Sequence, residues 1–84
     1  MAYNIAYKKS VGKDLANIGK SEARRILVKI EKDLGARADC YPLLKGPFAG
    51  LRKLRVGDYR IIFAVLGQDV LILRIGHRRD VYNN

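Results

Sequence analysis

The stretch Leu51–Ile75, LRKLRVGDYRIIFAVLGQDVLILRI, decides the fold. It contains three runs rich in β-branched and aromatic residues, broken at Gly57-Asp58 and at LGQD. In the middle run Tyr59, Ile61, Phe63 and Val65 recur at every second position, with Arg60, Ile62 and Ala64 between them. That is the period of a strand with one side against a core. Strands are therefore predicted over Leu51–Val56, Tyr59–Val65 and Val70–Ile75. Connections this short join antiparallel neighbours, so the three form a meander. In the first strand Arg52, Leu54 and Val56 take one side and Lys53 and Arg55 the other. The core-like side of the second strand leaves Arg60 on the opposite side. The simplest register gathers Lys53, Arg55 and Arg60 on one uncovered face.

Upstream, Tyr3, Ile5 and Tyr7 alternate with small or polar residues and predict a first strand. Ser10 is placed to cap a short helix bearing Val11, Leu15 and Ile18, which Gly19 ends. A second helix runs from Ser21 to a stop at Gly35, with Ala23, Ile26, Leu27, Ile30 and Leu34 as its apolar stripe. Arg24, Arg25, Lys29 and Lys32 lie largely off that stripe and read as a solvated face. Ala36 to Gly50, with both prolines, reads as a loop pinned to the core by Leu43, Leu44 and Phe48. Residues 1–84 thus form a single α+β domain. An N-terminal strand and a helical hairpin precede a three-stranded antiparallel meander, giving one curved sheet with helices on one face.

The charge balance is uneven. Against 8 Asp and Glu stand 17 Lys and Arg, a net charge of +9 on 84 residues. Such an excess favours a polyanionic partner. One cysteine and one histidine supply neither an intrachain disulfide nor a four-ligand zinc site, so Cys40 reads as a passive, partly buried thiol. The start MAYNIAY is not a secretory leader and no apolar run approaches the ~18 residues of a membrane span, which points to the cytoplasm and away from membranes. The carboxylates are scattered, KGPFAG has the wrong pattern for a phosphate loop and no GKS or GKT, and neither Ser10 nor Ser21 sits in a nucleophile elbow. What remains is a set of Lys, Arg, His and Tyr on the strands and in the closing run GHRRDVYNN, Gly76 to Asn84. Such a set grips a phosphodiester. It can also cut RNA without a metal or other cofactor, because the 2′-OH beside each phosphate is a built-in nucleophile.

Those residues fall in a recognisable order. LRKLRVGDYRIIFAV, followed by VLILRIGHRRDVY, resembles the RelE-type toxins of the RelE/ParE toxin–antitoxin superfamily, over nearly the whole chain. The resemblance implies a ribosome-dependent endoribonuclease that cuts mRNA in the ribosomal A site, and a cognate antitoxin with an acidic, amphipathic toxin-binding segment. It assigns Lys53 to the 2′-OH as base, Arg60 to the transition-state phosphate, Arg78 to the phosphate or the leaving 5′-oxygen, and Tyr82 to stacking on the mRNA nucleotide. His77 is a second candidate for proton transfer. Arg52, Arg55 and Arg79 are further candidates for contact with phosphate or RNA, although Arg52 alternates away from Lys53. Some ribosome-dependent members carry a second lysine where this chain has Leu51. A lysine acts as a base only when neutral, and neighbouring cations favour that form. Two alternatives share the fold: a ParE-like gyrase inhibitor that binds rather than cuts, and an inactive RNA-binding relative.

Overall fold

The computed structural model describes residues 3–77. Strand β1 (Asn4–Tyr7) leads to helix α1 (Val11–Ile18) and, after Gly19, to α2 (Lys20–Lys29). The second helix continues through a π turn (Ile30–Leu34) and a last α turn (Gly35–Arg37). Two short 3-10 turns, Ala38–Cys40 and Gly46–Phe48, carry the chain to β2 (Arg52–Val56), β3 (Tyr59–Leu66) and β4 (Asp69–His77). The order of strands in the sheet is β1-β4-β3-β2. The last three strands form the antiparallel meander, while β1 runs parallel to β4 from the other side, Asn4 opposite Asp69. The architecture is the expected α+β sheet with helices on one face.

The core explains the placement of the helices. Val11 of α1 and Ile26, Ile30, Leu34 and Ala38 pack against Leu54, Val56, Ile61, Phe63, Val70, Ile72 and Ile75 of the sheet. On a pure α-helix of 3.6 residues per turn, an apolar residue at every fourth position drifts by about 40° each time. The π turn holds more residues per turn and corrects that drift, so Ile26, Ile30 and Leu34 all stay at 0% exposure; Ala38, buried as fully, follows a break in the helical backbone at Arg37 (φ −152°). Gly35 accordingly does not end the helix: its φ of −63° is helical and the chain coils on to Arg37. Gly19 does end α1, with φ +102°. Ser10 makes no side-chain capping bond; α1 closes with backbone bonds such as Val11 N to Lys8 O, 2.9 Å.

The loop is anchored differently from expectation. Leu43 is 57% exposed, and Cys40 is exposed rather than partly buried. Tyr41 makes the anchor instead: its ring stands edge-on to Phe63 at 6.1 Å, and its carbonyl accepts from Arg52 Nη1 at 2.6 Å. Both hairpins turn on a glycine at the first central position, Gly57 (φ +59°) and Gly67 (φ +63°), the pattern of type II′ turns. No helix among the described residues is long and apolar enough to cross a membrane.

Candidate phosphodiester site

The register of β2 and β3 sets the site. Arg55 lies directly opposite Arg60, and Lys53 opposite Ile62. Leu54 and Val56 are buried on the helix side, so Lys53, Arg55 and Arg60 belong to the open side. Directly opposed residues hold their Cβ atoms about 4.5–5.5 Å apart, and like charges there repel. Arg60 carries a second cost: its Nε is buried and has no hydrogen-bond partner. An anion on the open face answers both, by neutralising the pair and accepting from the guanidinium.

Side-chain direction adds detail. Arg55 Nε donates to the Gly57 carbonyl at 3.4 Å, which draws its head toward the turn. Lys53 and Arg55 both also line a cleft along the outer edge of β2, with Lys29 and Tyr41. Arg52 takes the helix side, and its bond to the Tyr41 carbonyl gives it the work of holding the loop.

A bulge in β4 rearranges what simple alternation predicts. Ile62 faces Arg74 and Phe63 faces Ile72, so Leu73 is an extra residue on β4. Up to Ile72 the even-numbered positions face the core; after the bulge Ile75 and His77 do. Arg74 is thereby turned to the open side, in one cross-strand row with Ile62 and Lys53. The sequence reading passed over it, because strict alternation from Val70 sends Arg74 into the core. Ile62, between these two cations, is only 1% exposed.

The same bulge turns His77 away from Lys53, Arg55 and Arg60. It lies opposite Tyr59, ring edge to ring face at 5.9 Å, in a pocket shared with Arg74 and with Asp14 and Asn17 of α1. Asp14 is engaged there: its Oδ2 accepts from Ile75 N at 3.0 Å, on the edge of β4 beyond the reach of β1. His77 thus occupies the helix side, whereas Arg60 pairs with Gly76 on the open side. Arg78, Arg79 and Tyr82 lie outside the described residues.

Helix α1 and α2 enclose a second feature, an apolar groove on the outer surface lined by Leu15, Ala16, Ala23, Leu27 and Val28 and rimmed by Lys20 and Arg24.

Comparison with known proteins places this geometry. The sequence profile of the ParE toxins of type II toxin–antitoxin systems, parDE, matches residues 5–82. No curated protein sequence matches. The archaeal RelE–RelB complex of Pyrococcus horikoshii contains a chain 27% identical, with a TM-score of 0.71 over 96% of this chain and 100% of that one. The toxin–antitoxin complex RelBE2 of Mycobacterium tuberculosis gives 0.79 at 23% identity, covering 93% and 100%. The chromosomal ParDE system of P. aeruginosa gives 0.69 at 21%, covering 90% and 96%. These likenesses agree with a strand, a helical hairpin and a meander in that order, and with the family profile they lead to one conclusion: the chain belongs to the ParE toxin family of type II toxin–antitoxin systems, within the RelE/ParE superfamily.

Proposed function

We propose that this toxin is a ribosome-dependent mRNA endoribonuclease. The observation that carries the reading is the opposed pair Arg55–Arg60 beside Lys53, with the Arg60 Nε buried and unpartnered. In this reading one phosphodiester lies on the open face. Lys53 takes the proton of the 2′-OH, whose oxygen attacks the adjacent phosphorus. Arg60 meets the charge that builds on the phosphoryl oxygens. Arg78 stabilises the departing 5′-oxygen, Tyr82 stacks on the nucleotide, and Arg55 contributes positive charge. The bond from phosphorus to the 5′-oxygen breaks and that oxygen takes a proton from water, leaving a cyclic phosphate on one fragment and a 5′-hydroxyl on the other. Because RNA brings its own nucleophile, the residues need only position, charge and proton movement.

The partner follows from the same family. The solved relatives include RelE bound to RelB, and the reading gives this chain a cognate antitoxin with an acidic amphipathic segment. The apolar groove between α1 and α2, rimmed by Lys20 and Arg24, suits such a helix.

A second reading has its own support, since the matching profile is that of the ParE toxins. It makes the protein an inhibitor of DNA gyrase that binds without cutting. Mapping of mRNA 5′ ends after induction, beside a plasmid supercoiling assay, separates the two. New 5′ ends that disappear in Arg60→Ala support the nuclease. Intact mRNA with impaired supercoiling overturns it in favour of gyrase.

A further inference from the structure

The cations of α2 that read from sequence as a solvated face do not stand alone. Arg25, Lys29 and Lys32 follow one another at i, i+4 and i+7, a stripe about 10 Å long at 1.5 Å per residue. That stripe faces the outer edge of β2, where Arg55, Val56 and Gly57 form the other wall of a groove. Arg25 is seated against the β2–β3 turn: its Nη2 lies 2.9 Å from where a Cβ on Gly57 would be. Glu22 holds Arg25 at 3.1 Å and Asp33 holds Lys29 at 3.2 Å. Two carboxylates against four cations leave the groove positive.

We propose that this groove binds the phosphate backbone of a second RNA segment, separate from the strand at the open face. The inference rests on the reading of the protein as an RNA-directed toxin and extends it to a second surface. Two observations choose RNA over a protein partner, beside the one exposed apolar side chain of the walls, Val28. The β2 edge carries Lys53 and Arg55, and cations on an edge strand oppose the addition of another strand. Arg55 belongs both to this groove and to the pair with Arg60, so the groove is continuous with the proposed cleavage site. The substrate strand and a folded RNA that presents it would then be held by adjoining surfaces. A groove of this kind reads backbone rather than sequence.

The test uses the full-length toxin and a 2′-O-methylated RNA hairpin, which lacks the nucleophile and cannot be cut. Affinity is measured by fluorescence anisotropy over a range of salt. Each phosphate contact contributes a slope of about 0.7–0.9 in log K against log salt. Arg25→Gln/Lys32→Gln is expected to flatten that slope by about 1.4–1.8. Lys32→Gln alone, at an exposed position, is expected to give about half the change and guards against a folding defect in the double variant. An unchanged slope in both variants overturns the proposal. So does a double variant that keeps its RNA affinity and loses the antitoxin, which would make the groove a protein surface. Cleavage is scored separately on cellular mRNA, so failure of the nuclease reading is visible as intact mRNA whatever the slope shows.

Discussion

Arg60→Met separates what the site costs from what it does. Methionine keeps an unbranched apolar stem of similar reach and removes the guanidinium. In the free toxin Arg60 buries its Nε without a partner and opposes Arg55 across the strands. A buried unpaired donor costs about 1–3 kcal/mol, and an opposed like-charge pair a further 0.2–1 kcal/mol or so. Arg60 and Arg55 both reach solvent, which screens the charge part, so a net gain of about 1 kcal/mol is expected on removal. For a domain of this size that raises the melting temperature by roughly 4–8 °C. Thermal unfolding followed by circular dichroism measures it on the free protein. Inorganic phosphate should raise the melting temperature of the parent and leave that of the variant unmoved. If the protein is the nuclease proposed above, cleavage should fall by about 10²–10³-fold, the usual cost of losing a group aimed at transition-state charge. A variant that melts several degrees below the parent would refute the reasoning, since it would make Arg60 a residue that holds the fold rather than one held in readiness for an anion.

Three further outcomes follow from other contacts. Gly57→Ala places a Cβ at φ +59° and against the Arg25 guanidinium, and should cost about 1–2 kcal/mol in chemical denaturation, with Gly57→Asn recovering part of it. Asp14→Ala leaves the Ile75 N–H without its acceptor and should cost about 1–3 kcal/mol, seen as faster hydrogen exchange at Ile75. Tyr7 donates to Glu31 at 2.8 Å, and burial, reinforced by that carboxylate, holds its phenol well above the ordinary value of 10.0. The neutral phenol is the favoured folded form, so this stabilisation is complete below about pH 10 and is lost as the pH climbs beyond it. Ultraviolet titration should show a late tyrosine step that Tyr7→Phe removes.

The alternation Tyr59, Ile61, Phe63, Val65 made the meander legible, and the glycines made its turns so. What alternation cannot carry past is an inserted residue. Leu73 looks like any other member of VLILRI, yet as a bulge it exchanges the sides of everything after it, setting His77 on the helix side and Arg74 on the other. The four-residue apolar repeat in the second helix predicted a buried face, while the π turn that accommodates it depends on the sheet beneath. Loop anchoring was legible only as a need for some apolar contact; that Tyr41 rather than Leu43 supplies it depends on Phe63 and Arg52 being within reach. The cationic cluster was half visible: residues on β2 and β3 could be sorted by side, but the alignment of Arg25, Lys29 and Lys32 with Arg55 is a matter of how a helix lies beside a strand.

Strand β1 is the first to be made and has a single strand beside it, β4, the last of the four. During synthesis it has nowhere to dock until β4 has been made, and closing a loop of that length is slow as well as costly in entropy. The sheet that carries the arginines is therefore assembled late. Until β4 has emerged, the face that gathers Lys53, Arg55 and Arg60 exists only as separate segments of chain, and its charges come together as that strand is laid down.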